Sequence, residues 1–187
     1  MQYITRKGNF DSGHRVMNEQ YKCFNLHGHT YLYELTFEFN TMEDIGYALD
    51  FKEIKRVGCQ WIDDLMDHGM ILNPKDEKVI NTVRDLGTKL WLMSLNGKGE
   101  YCNPSVENIA REVILAEQIL FEQYPMLDVS SVKIFETPNC WTELQYIDVP
   151  QRERDNFYEE HYDQIKAYAG RKGILEYDDR KSDVVAL

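Results

Sequence analysis

His27 and His29 form an H-x-H pair at the head of an alternating segment, and His14 closes the segment Phe10-Asp11-Ser12-Gly13-His14-Arg15 just upstream. Alternate residues of a strand project to one face, so the two imidazoles of the pair can converge on a single ion. They share parity with Tyr31, Tyr33 and Leu35, which places them on the apolar, inward side. Gly28 between them leaves room for close approach of backbone or ligand. A hairpin brings His14, at the end of the preceding strand, alongside them. Three imidazoles with a vacant fourth position are the donor set of a catalytic zinc ion. Zinc there polarises a bound oxygen and acidifies an attached hydroxyl. An H-x-H pair alone is more simply incidental. His14 and Cys23 at these spacings shift the balance to a metal site.

Other side chains supply proton chemistry. Cys23 lies four residues before His27, where a nearby zinc ion, or Lys22 and Arg15, would lower its pKa; the rival role is a buried inert thiol. Cys59, Cys102 and Cys140 are read as inert buried thiols. Asp67-His68 falls at the end of a helix, where the terminal carbonyls and the adjacent carboxylate both favour an imidazolium. A proton-transfer role and a plain helix cap fit that position equally. Glu136 shares a strand face with Val132 and Ile134, so its carboxylate needs a partner. The partner is either a ligand edge with two parallel N–H donors or a cationic neighbour. Glu107 sits in the first turn of a helix, where the dipole alone explains an acid. His161 reads as solvent-exposed.

These residues need a scaffold. Residues 2–12 and 27–39 read as strands, the second alternating Tyr31, Tyr33, Leu35, Phe37 and Phe39 against Leu32, Glu34, Thr36 and Glu38. A helix spans about 51–66, with Phe51, Ile54, Trp61, Ile62 and Leu65 on one side. Asp50 and Glu53 resemble a capping box, and Gly69 is placed for a left-handed cap. A second helix covers about 104–124, with Asn103 as cap and Pro104 in the first turn. Strands near 130–137 and 141–148 follow, turning at Pro138-Asn139. The order strand, strand, helix, helix, strand, strand makes an α+β domain over 1–150. Residues 74–103 form a partly helical insertion. Residues 151–187 add an amphipathic helix (151–169) and, from Glu176, a polar mobile end.

The 187 residues suit one domain with appendages. A net charge of −11 disfavours nucleic-acid binding yet leaves room for a small anionic substrate beside local cations. No apolar run spans a bilayer, and the first residues lack a signal-peptide core, so a cytoplasmic protein is expected. Four scattered cysteines without a C-x-x-C pair argue for free thiols.

Taken together, F-D-S-G-H-R at 10–15, C-F-N-L-H-G-H at 23–29, L-D-F-K-E-I-K at 49–55, D-H at 67–68, L-N at 72–73, P-S-V-E-N at 104–108 and E-T at 136–137 resemble the 6-pyruvoyltetrahydropterin synthase family. The resemblance runs through residues 3–148 in the family's order. It implies a tunnelling fold of four antiparallel strands and two helices, assembled as a dimer of trimers with sites between subunits. It implies Zn2+ on His14, His27 and His29, with Cys23, Asp67 and His68 as proton-transfer groups. Glu136 would anchor a pterin ring, with Glu107 a second substrate contact. The implied substrate is 7,8-dihydroneopterin triphosphate. Three residues between Cys23 and His27 match the bacterial carboxy-type branch, which releases acetaldehyde and triphosphate and serves deazapurine (queuosine-type) synthesis. Rival readings are the pyruvoyl-type synthase, which keeps the side chain, and a non-catalytic zinc-containing pterin-binding protein. A folate-linked branch with glutamate in place of the cysteine fits poorly. Ser12-Gly13, the longer spacing from His68 to Leu72-Asn73, the insertion and the tail depart from the compact family pattern.

Overall fold

The computed structural model describes residues 2–94 and 102–174, and the backbone of 184–186. Strand β1 (Gln2–Arg15) and strand β2 (His27–Phe39) form a long antiparallel hairpin, in register from Gln2↔Phe39 to His14↔His27. β1 outruns the expected 2–12, so His14 lies within the strand. A short β3 (Thr41–Glu43) leads to a helical segment, α1 (Phe51–Ile54), a π-helical turn (Lys55–Cys59) and α2 (Gln60–Leu65). Then come β4 (Gly69–Leu72), α3 (Glu77–Asp85), β5 (Leu90–Leu92), α4 (Val106–Phe121), β6 (Leu127–Thr137), β7 (Cys140–Gln145), α5 (Gln151–Arg171) and β8 (Val184–Ala186).

The main sheet has the order β5-β4-β1-β2-β6-β7. Its four central and right-hand strands, β1, β2, β6 and β7, are antiparallel, while β4 and β5 add on in parallel beside the end of β1. The expected order of two strands, two helices and two strands therefore holds, with β4 added just before the insertion and the insertion supplying α3 and the edge strand β5. Alternation in β2 dictates the layering. Tyr31, Tyr33, Leu35, Phe37 and Phe39 are buried under the helices, Phe37 against Phe121 at 4.6 Å between ring centroids. α5 packs on the outer side of α4, tied by Arg111–Glu153 at 2.8 Å and by Tyr162 and Lys166 to Glu122.

Several local expectations change. Asp50 caps α1 by accepting from Lys52 N at 2.8 Å, but Glu53 turns away from the box to pair with Arg56 at 2.7 Å, and Phe51 is exposed. The left-handed residue after α2 is His68 (φ 52), because its N–H reaches Asp11 O at 2.6 Å; Gly69 already belongs to β4. Ser105, not Asn103, caps α4, since Asn103 Oδ1 is occupied by Met17 N and Asn73 Nδ2 at 2.9 Å each. His161 is buried, not exposed: α5 lays it on Trp91 and Phe157, with centroid distances of 5.4 and 4.8 Å. Cys59 and Cys102 are buried as expected, whereas Cys140 is exposed at the start of β7. The polar end expected to be mobile lies largely outside the described residues, but 184–186 within it pair with β3.

Two acids are hidden in α4. Glu112 accepts from Ser94 N at 2.9 Å and from Ser94 Oγ. Glu117 is wholly buried, and neither carboxylate oxygen has a hydrogen-bond partner among the described residues. Its carboxyl fills the space that Gly58 leaves in the π turn, where a methyl group would overlap it. Burial pushes Glu117 up to about 8, against about 4.3 for an unperturbed glutamate. The folded chain thus keeps a proton that the unfolded chain has lost. That contribution to stability is full below the unfolded pKa and declines as pH rises through about 8. Glu117→Gln retains the shape without the charge. Its melting temperature relative to the parent is expected to rise from about pH 5 to about pH 9; an equal difference at both ends contradicts a protonated Glu117.

Candidate metal and substrate site

The β1–β2 register sets His14 directly opposite His27 and Ser12 opposite His29. The pleat then points all three imidazoles to the helix side, over Tyr31. Ring centroids are 4.4 Å apart for His14–His27, 5.2 Å for His14–His29 and 5.0 Å for His27–His29. One nitrogen from each ring lies within 4.8 Å of the others. His14 is buried, while His27 and His29 are half-buried and open on one side.

Backbone carbonyls fix the two facing rings. His14 Nδ1 is 2.7 Å from Pro104 O, and His27 Nδ1 is 2.6 Å from Asn25 O. A carbonyl only accepts, so each Nδ1 carries a proton, and in the neutral form of the ring each Nε2 then offers a lone pair. The two Nε2 atoms stand 3.0 Å apart. Two bare lone pairs at that separation repel, unless a proton or a cation lies between them. Burial, opposed by the bond to Pro104 and reinforced by the neighbouring His27 and His29, pushes the His14 pKa down to about 4, which disfavours a second proton on that ring. A cation fits: two zinc–nitrogen bonds of about 2.0–2.1 Å at a tetrahedral angle place their nitrogens about 3.3 Å apart. The carbonyl contacts to the remote nitrogens are the outer supports that metal-binding histidines use.

Glu136 joins this cluster from β6. A register shift between Phe135 and Thr137 leaves it at a bulge, with Oε1 3.7 Å from His14 Nε2 and 3.9 Å from His29 Nε2. It faces inward, as its parity with Val132 and Ile134 requires. Together with Gly28, His29, Thr30, Leu32, Phe135, Thr137 and Pro138 it lines a cleft of about 460 Å³.

A second, more open cleft of about 380 Å³ shares Gly28, His29 and Thr30 with the first, and His68 lies on its far wall. His68 Nδ1 is 2.6 Å from Asp67 Oδ2, while Asp67 Oδ1 accepts from Asp11 N at 2.7 Å. The hydrogen bond to Asp67 raises the His68 pKa. Burial pulls Asp67 upward, but the bonds from Asp11 and His68 outweigh it and hold the carboxyl below its usual range. With Nδ1 engaged, the exposed Nε2 is the nitrogen free to exchange protons.

Cys23 sits on a 3-10 turn (Lys22–Phe24) in the loop closing the hairpin, pinned by Val16 N to Cys23 O at 2.9 Å. It is half-buried and within electrostatic reach of Tyr31. Glu107 stands exposed on the first turn of α4, with no contact to the histidines among the described residues. Alternation along β2 marks Tyr31 as core alone. Its hydroxyl is buried beneath the histidines without a hydrogen-bond partner among the described residues, and burial, then Glu136 and Cys23, raise its pKa. Parity with His29 was the available signal.

An antiparallel sheet backed by two helices, with histidines at one end of its central hairpin, defines the tunnelling-fold class. Known structures share that fold: an uncharacterised protein from Wolinella succinogenes (TM-score 0.59, 20% identity, 78% of this chain and 98% of that one). Another is the 6-pyruvoyl tetrahydropterin synthase of Caenorhabditis elegans (TM-score 0.54, 19% identity, 77% and 94%). Residues 3–146 match the 6-pyruvoyl tetrahydropterin synthase family, and the chain belongs to it. The 6-carboxy-5,6,7,8-tetrahydropterin synthase of Rickettsia bellii is 35% identical over 144 residues, 75% of this chain and 97% of its own length. The 6-pyruvoyl tetrahydrobiopterin synthase of Dictyostelium discoideum is 26% identical over 126 residues, 61% and 87%.

Gly28 tests how tightly the cluster is built. A Cβ there would lie 2.9 Å from Ser12 O, a backbone atom that can move only with β1. Gly28→Ala is expected to cost about 1–3 kcal/mol in denaturant unfolding; unchanged stability contradicts this close strand approach.

Proposed function

We propose that the chain is a zinc-dependent 6-carboxy-5,6,7,8-tetrahydropterin synthase, converting 7,8-dihydroneopterin triphosphate to 6-carboxytetrahydropterin, acetaldehyde and triphosphate. The observation that carries the reading is the pair of facing Nε2 atoms at 3.0 Å, with His29 and Glu136 beside them. The names of its relatives at 33–35% identity support the carboxy-type reaction, as does the three-residue gap between Cys23 and His27.

His14, His27 and His29 hold the zinc ion, which when bound polarises oxygens of the substrate side chain. The Glu136 carboxylate takes two parallel N–H groups of the pterin's guanidine-like edge, fixing the ring in the cleft that Leu32 and Phe135 wall. Cys23 Sγ and His68 Nε2 move the protons, and Asp67 holds the imidazolium in place. Glu107, exposed on the first turn of α4, is assigned a second substrate contact. Assembly as a dimer of trimers suits the open edges of β1 before Ser12 and of β7. Residues 1–150 form the catalytic domain, 151–187 its extension, and the setting is the cytoplasm, in deazapurine synthesis.

Incubation of zinc-loaded protein with dihydroneopterin triphosphate tests the reaction by product mass. Acetaldehyde with 6-carboxytetrahydropterin is expected; triphosphate release with the side chain retained replaces this reading by the pyruvoyl-type synthase, and binding without product by a non-catalytic pterin protein. Cys23→Ala is expected to keep fold and zinc while turnover falls by about 100-fold or more. Undiminished turnover removes Cys23 from the reaction.

A further inference from the structure

The Asp67–His68 pair sits on a turn whose conformation is costly by itself. His68 is the one non-glycine residue with positive φ among the described residues. A side chain in that region persists only where surroundings over-determine it. The turn also follows the end of α2, where the last carbonyls lack partners within the helix.

Two elements hold it. Asp11 of β1 bonds to Asp67 Oδ1 and accepts from His68 N. From the other side comes Lys89, in the insertion just before β5. Its Nζ donates to Asp67 O at 2.5 Å and to Asp63 O at 2.9 Å, closing the end of α2 with one ammonium group. Its carbonyl accepts from Met70 N at 2.9 Å, immediately after the pair. Lys89 thus grips the turn on both flanks of His68. Its own position is set by β5, which lies in parallel register on β4 (Met70↔Leu90, Ile71↔Trp91), and Trp91 is packed between Trp61 and His161 of α5.

We propose that Lys89 is a positioning residue for proton transfer, through which the insertion holds His68 Nε2 in its working place. This rests on the reading of Asp67–His68 as the proton-transfer pair. The ammonium hydrogen-bonds the backbone carbonyl of Asp67 and acts on the imidazole only through its charge. The insertion is thereby part of the working site, and α5 braces it through Trp91.

The test compares Lys89→Met, Lys89→Arg and His68→Ala as full-length zinc-loaded protein, measuring kcat, KM, zinc content and melting temperature. Lys89→Met keeps the aliphatic stem and loses the donor. Its kcat is expected to fall about 10- to 100-fold with KM and zinc content nearly unchanged. Lys89→Arg, which still offers two N–H donors, is expected to recover most of that loss. Unchanged kcat in Lys89→Met beside an inactive His68→Ala overturns the proposal and leaves the pair's role standing. A Lys89→Met protein that loses its fold or its zinc overturns it too, because Lys89 is then a general support. Full turnover in His68→Ala overturns the reading of the pair itself, and Lys89 then has nothing to position.

Discussion

Two imidazole nitrogens, on rings whose opposite edges each engage a backbone carbonyl, face one another across 3.0 Å. Among the described residues, only a proton shared between the two rings would relieve that opposition. The rings cannot turn away without breaking their contacts to Pro104 and Asn25, and burial opposes protonation of His14. Only an electron-pair acceptor converts the repulsion into binding. The register of the β1–β2 hairpin enforces the arrangement, because a slip of one residue would send His14 or the H-x-H pair to the other face. The aromatic residues that continue the same face, Phe10, Tyr31 and Tyr33, lock that register by burial.

The remaining elements bring titratable side chains to the same end of the sheet. The hairpin loop carries Cys23, the bulge in β6 turns Glu136 toward the histidines, and the turn after α2 presents His68 to a cleft that His29 also lines. Features outside the compact pattern join this architecture. The insertion adds β5 alongside β4, and α5 buries His161 against Trp91 of that insertion. α5 also ties Tyr168 and Lys172 to Asp64, on the helix that leads into the Asp67–His68 turn.

The parts legible in the sequence were those governed by short-range periodicity. Alternation along 31–39 gave the buried face of β2, and H-x-H on that parity gave the histidine side. Glu136 could be placed inward by the same rule. Long-range pairing was not legible. Nothing local marks Ser105 over Asn103 as the cap, because the choice depends on Asn103 being claimed by Met17 and Asn73. His161 looked exposed within a polar helix, and only the fold brings Trp91 beneath it. Glu117 in α4 carries no sequence mark of burial; its place depends on the glycine of a π turn on another helix. His68 was expected to precede a left-handed glycine and instead takes that conformation itself, drawn by Asp11.

X-ray absorption at the zinc edge, on protein loaded with about one ion per chain, addresses the metal centre directly. The geometry predicts three imidazole nitrogens at about 2.0–2.1 Å, with the remaining ligand a light oxygen atom. A sulfur neighbour near ~2.3 Å would make Cys23 a ligand in place of a proton carrier, and absence of the outer-ring imidazole signal would contradict the three-histidine site altogether.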